Sequence, residues 1–113
     1  MKQMVVPLAS IALLAGCSNY VPKCGDLETT DLVKQIAHEE MTRQVGSESA
    51  NLFSYSVNSI RTTDEHDVTG AFDCAAQLEV RASNTGDSNE LAITYTVEAT
   101  DDGEEFYVEV YGL

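Results

Sequence analysis

Four runs of alternating apolar and polar residues fill the second half of this chain and commit it to a sheet. Phe53, Tyr55 and Val57 alternate with Ser54, Ser56 and Asn58. Phe72, Cys74, Ala76, Leu78, Val80 and Ala82 alternate with Asp73, Ala75, Gln77, Glu79 and Arg81. Leu91, Ile93, Tyr95 and Val97 alternate with Ala92, Thr94, Thr96 and Glu98, and Phe106, Val108 and Val110 alternate with Tyr107, Glu109 and Tyr111. Successive strand side chains point to opposite faces, so each run describes a strand with one buried face. The connecting stretches 63–67, 84–89 and 100–104 carry turn residues, and Asp102-Gly103 is the clearest hairpin signal.

Ahead of the strands, the spacing predicts one helix over Leu27–Val45. Leu32, Val33, Ile36, Ala37 and Met41 recur at helical spacing and form one apolar stripe. Asp26 stands at the N-cap position, and Glu28 and Asp31 lie where the helix dipole favours anions. Arg43 falls in the last turn, and Gly46 supplies a stop. Lys34, Glu39 and Glu40 mark the wet face. One helix followed by four consecutive strands gives an α+β expectation: an N-terminal helix packed on the apolar face of a four-stranded antiparallel meander.

The first residues pose a different problem. Met4 to Gly16 is apolar but interrupted by Pro7 and Ser10, and it is shorter than the about 20 residues a spanning helix needs. Lys2 precedes it, and the small residues Ala15 and Gly16 end it just before Cys17. A basic residue, a short apolar stretch and a small-residue cleavage site describe a secretory signal rather than a helix of the fold. The segment Leu14-Ala15-Gly16-Cys17 resembles the lipobox of the bacterial lipoprotein signal class, over about the first twenty residues. The resemblance implies a diacylglyceryl group on the Cys17 thiol, cleavage before Cys17 and acylation of the new amino group. Two or more acyl chains hold a protein firmly at a membrane, whereas one does so weakly. Ser18 follows the cysteine where enterobacterial inner-membrane lipoproteins carry aspartate, which points to the outer membrane, facing the periplasm. The expected organisation is a signal peptide over 1–16, a lipidated tether over 17–23 and one α+β domain over 24–113. The six residues 18–23 reach at most about 20 Å, so the domain should stay close to the membrane.

A domain of this length buries a single core and is marginal without a staple. With Cys17 acylated, Cys24 and Cys74 remain, and export places them in an oxidising space where a disulfide is expected. Cys74 belongs to the inward series of its strand, and Cys24 lies just ahead of the helix that would cover that face. A bond between them would close a loop of about 50 residues, worth about 4 kcal/mol in the chain-entropy account. Neither cysteine has a CxxC partner or a suitably spaced histidine, which argues against a reactive thiol or a metal ligand.

The chain holds 19 acidic and six basic residues, for a net charge of −13, and cleavage before Cys17 would remove only Lys2 from that balance. Such a charge argues against nucleic acid, which requires clustered Lys and Arg, and against a domain lying flat on anionic lipid. It suits a soluble body and a cationic partner.

Chemistry is hard to place. His38 beside Glu39 lacks the HExxH spacing, His66 sits between Glu65 and Asp67 without a serine in register, and no GxSxG elbow occurs. An enzyme is therefore not expected, and neither is a cofactor. Asp64, Glu65, His66 and Asp67 put four ligand types in one turn, and Asp101, Asp102, Glu104 and Glu105 surround Gly103. Neither stretch has the alternate-position pattern of an EF-hand, and no metal is expected. The better candidates for contact are Tyr107, Glu109 and Tyr111 on the outward series of the last strand, since tyrosines on a polar face serve as interface anchors. That strand is also a candidate sheet edge, able to accept a partner's strand.

The architecture looks like the small α+β folds of envelope lipoproteins, including cystatin-like and lysozyme-inhibitor-like domains, although the inhibitors' recognition motif is absent. The expectation is a membrane-anchored, non-enzymatic module that binds another envelope protein, in its concrete form an inhibitor or immunity protein for a cationic enzyme. The alternative is a structural accessory subunit of an outer-membrane or secretion assembly.

Overall fold

A computed structural model of the protein describes residues 21–113, so the lipobox and Cys17 lie outside the described residues. The order is α1 (Leu27–Val45), α2 (Ser47–Ala50), β1 (Phe53–Glu65), β2 (Phe72–Ala82), β3 (Ser88–Ala99) and β4 (Phe106–Tyr111). The strands form one antiparallel sheet in the order β1-β2-β3-β4, a meander, and α1 packs on its inner face.

The predicted helix is present with the expected limits. Gly46 ends it at φ 87°, a left-handed conformation open to glycine, and its N–H donates to the Thr42 carbonyl at 2.9 Å. The start differs from expectation. Asp26 occupies the N-cap position, but its carboxylate makes no cap hydrogen bond; it accepts from the Lys23 N–H at 2.9 Å instead. That contact closes the turn carrying Cys24, and Thr29 Oγ1 ties the same turn by donating to the Lys23 carbonyl at 2.8 Å. A short second helix, α2, follows Gly46 without a sequence signal of its own.

The inner face joins Val33 and Ala37 of α1 to Cys74, Ala76 and Leu78 of β2 and Ile93, Tyr95 and Val97 of β3. Tyr55, Val57, Phe106, Val108 and Val110 flank this core from the outer strands, so the two-residue alternation holds in the four runs, although Ala75 of the outward series on β2 is buried as well. Leu91 is an exception. It belongs to the inward series, yet it is 41% exposed, because the last β3–β4 pair is Thr94↔Tyr111 and β4 does not flank β3 as far as Leu91.

β1 runs further than its alternation suggested. The pairing advances from Asn58↔Gln77 to Arg61↔Ala75, and from Thr62↔Cys74 to Asp64↔Asp73, so β1 carries an extra residue at each point. These are β-bulges. The first moves Ile60 into the inward series after Tyr55 and Val57, which hides the strand from a strict period-two reading. Residues 63–65, expected in a turn, therefore continue β1, and Ser88 and Asn89 likewise begin β3. Ser59 sits in the bulge at φ 55°, where a Cβ is unfavourable. Ser59→Gly is expected to stabilise the fold by about 0.5 kcal/mol, the relief of the left-handed strain less glycine's greater unfolded freedom. A shift in the urea midpoint with an unchanged m-value would measure it.

The Cys24–Cys74 disulfide is formed, with the Cα atoms 5.8 Å apart. Both cysteines are buried against Tyr95, whose hydroxyl donates to the Cys24 carbonyl at 2.8 Å. Burial pushes the Tyr95 phenol up to about 12. Unfolded tyrosine titrates near 10, so the folded chain keeps a proton that the unfolded chain loses above that pH. The resulting stability is complete below about pH 10 and is lost as pH rises towards 12, about 2–3 kcal/mol in all. Tyr95→Phe should flatten that alkaline limb, while costing about 1 kcal/mol at neutral pH through the undonated Cys24 carbonyl. Urea melts at pH 8 and pH 11 separate the two effects.

Candidate functional site

The sheet has α1 on one face only, and the opposite face is built from the outward series of all four strands. On β4 that series is Tyr107, Glu109 and Tyr111, the residues expected to make contact. Register sets them opposite Glu98, Thr96 and Thr94 of β3. Tyr107 Oη donates to Glu98 Oε1 at 2.8 Å, and Tyr111 Oη donates to Glu109 Oε1 at 3.1 Å. The tyrosines are 42% and 52% exposed. Each phenol is pushed above its ordinary value by its hydrogen bond to the neighbouring carboxylate, Glu98 for Tyr107 and Glu109 for Tyr111, with nearby negative charge adding to the effect. The rings are thus held by their hydroxyls, with part of each face left to solvent.

Negative charge continues across the face. Asp73 pairs with Thr96, which pairs with Glu109, so Asp73 and Glu109 flank one threonine on neighbouring strands. The Asp73 charge also acts on the Tyr111 phenol. Asp64 lies directly opposite Asp73 on β1. Like charges in direct cross-strand register repel, and the His66 ring lies beside both carboxylates. Its Nε2 is 3.2 Å from Asp73 Oδ2 and 3.9 Å from Asp64 Oδ2. Thr96 Oγ1 is buried between the flanking strands without a hydrogen-bond partner.

The two acidic stretches singled out in the sequence behave differently. Within the first, Asp64 and His66 come together with Asp73, and their ligand atoms lie within 4.8 Å of one another. Asp73 was not in that group, because the register that brings it there crosses from β1 to β2. Its outward parity at the start of β2 was the available signal. The second stretch is occupied with its own backbone. Asp102 Oδ1 accepts from Thr100 Oγ1 at 2.6 Å and from the Glu104 N–H at 3.0 Å, and these bonds hold the carboxyl below its usual range.

Elsewhere, His38 Nδ1 lies 3.3 Å from Tyr55 Oη, with the two rings edge to face. This contact seals the margin between α1 and β1. Beyond it, Ala37, Met41, Tyr55, Leu78, Leu91 and Leu113 line a shallow apolar groove between the end of α1 and the sheet. Among the described residues, no helix is long and apolar enough to cross a membrane. Comparison of the chain with protein-family models, with curated proteins and with solved structures finds no match.

Proposed function

We propose that this protein is a lipoprotein of the bacterial envelope, anchored through acyl chains on Cys17, that binds a basic protein on the face of its sheet opposite α1. In its concrete form it is an inhibitor or immunity protein for a cationic enzyme and performs no catalysis itself. The observation that carries this reading is the β3–β4 surface, where exposed Tyr107 and Tyr111 are fixed by Glu98 and Glu109. Tyrosine supplies contact area at little conformational cost, and the carboxylates complement lysine and arginine. The net charge of −13 would speed the approach of such a partner.

Capture from an envelope extract at low and at high salt tests it. The full-length protein should retain basic proteins whose release follows rising salt. Replacing Tyr107 and Tyr111 with alanine should weaken the captured complex by about tenfold or more, as interface anchors do. Glu109→Lys should act mainly on the association rate. Retention of no basic protein, or undiminished retention by the tyrosine variant, would overturn the reading. The rival, an accessory subunit of a larger outer-membrane assembly, draws its support from the apolar groove at Met41, Leu91 and Leu113. It predicts salt-insensitive co-purification that Met41 and Leu91 substitutions abolish.

A further inference from the structure

The place where the chain enters the domain determines which end of the domain can approach a membrane. Pro22 and Cys24 are fully buried, Cys24 is bonded to Cys74, and Val21 packs into the core. A Cβ placed on Gly70 would lie 3.7 Å from Val21 Cγ2, so the entering chain runs beside the β1–β2 hairpin. In a meander the β3–β4 hairpin lies at the same end, and residues 67–70 and 99–101 do line one shared cavity there. The β2–β3 hairpin and the α1–α2 junction occupy the opposite end.

Fixing Val21 leaves little slack. Four residue steps separate Cys17 from Val21, a reach of at most about 14 Å. The 11 residues of β2 span about 36 Å from one end of the sheet to the other. A tether of that length cannot turn the far end to the surface without first dragging the near end along it.

We propose that the β1–β2 and β3–β4 hairpins form the membrane-facing end of this protein, with Val68 at the surface of the bilayer. The proposal rests on the acyl anchor at Cys17 put forward above. Val68 is 98% exposed at the tip of its hairpin. Asp67 and Asp101 share its cavity, and the two hairpins also carry Asp64, Glu65, Asp102, Glu104 and Glu105, with His66 among them. Anionic lipid repels such an end over about one Debye length, some 8–10 Å at ordinary salt, which the tether has room to allow. On a zwitterionic bilayer the end settles at the surface; on an anionic one it stands off, and salt brings it back. In both cases these hairpins stay the part of the domain nearest the membrane, and the β2–β3 hairpin and the α1–α2 junction lie further from it.

The chain contains no tryptophan, so single tryptophans report position cleanly. Val68→Trp and Asp101→Trp mark the near end, and Glu48→Trp and Thr85→Trp mark the far end, all at exposed positions. Each full-length variant is purified from cell envelopes, its Cys17 peptide is weighed for acyl groups, and it is reconstituted into phosphatidylcholine vesicles containing a dansyl-headgroup lipid. Energy transfer from positions 68 and 101 should exceed that from 48 and 85 several-fold. Replacing part of the lipid with phosphatidylglycerol should lower transfer from 68, and added salt should restore it. Acylated protein with equal or reversed transfer overturns the orientation while the anchor stands. A Cys17 peptide without acyl mass removes the anchor, and the orientation with it.

Discussion

Replacing Cys24 and Cys74 together with alanine is expected to remove about 4 kcal/mol of stability. The bond closes a loop of 50 residues, which restricts the unfolded chain far more than the folded one. In the folded state both sulfurs occupy the buried seam between the start of α1 and the inner face of β2, so their removal also takes packing from the core. A domain this small has a total stability of about 5–15 kcal/mol, and a loss of this size is a large part of it. Urea unfolding with and without reductant measures the effect on the unaltered sequence, and the alanine pair measures it without thiol chemistry. Equal midpoints in the two conditions would show that the bond contributes nothing. Partial loss has a second consequence: the turn at residues 21–24 is released, and the tether lengthens at the expense of the fixed orientation.

Leu78→Ala should cost about 3 kcal/mol, within the range of about 2–5 kcal/mol for large-to-small changes in a packed core. Leu78 stands at the centre of β2, is almost fully buried, and pairs with Leu91 across the β2–β3 ladder. It has Val57 opposite on β1 and Ala37 of α1 among the residues of its core, so little is free to collapse into the space it leaves. Leu91→Ala offers the internal comparison. The two leucines share an inward parity, yet Leu91 stays partly in solvent, where β4 no longer flanks β3. Its truncation should cost under about 1 kcal/mol, as for an exposed position. The ratio of the two losses, read from urea midpoints at constant m-value, tests where the packed core ends along the β2–β3 ladder. Equal losses would place Leu91 in the core and contradict that account.

Much of the fold is written in side-chain periodicity. Residue pairs such as Ile93 and Tyr95, or Val108 and Val110, announce their common face because a strand repeats every two residues. The bulged strand β1 was only half legible. Ile60 belongs with Tyr55 and Val57, but the extra residue at Ser59 breaks their spacing, and a bulge is recognised by its partner strand rather than by its own sequence. Asp26 shows the same limit at the other end of the chain. Its position as N-cap was legible, but its hydrogen bond to Lys23 depends on how the disulfide turn folds back.

The candidate surface divides similarly. Tyr107, Glu109 and Tyr111 were visible from β4 alone, through outward parity. Glu98, which holds Tyr107, and Asp73, which joins Asp64 and His66, depend on register between strands. Amino-acid order by itself determined α1 and the four strands, their inward and outward faces apart from the bulged half of β1, the charge, and the two cysteines placed on one side of the sheet. All of these follow from local geometry and composition. Only the tertiary structure decided which acids stand together, where β4 stops flanking β3 and beside which hairpin the chain enters. Those are relations between segments up to 71 residues apart, as with Tyr95 and Cys24, and they are set by packing that no single segment encodes.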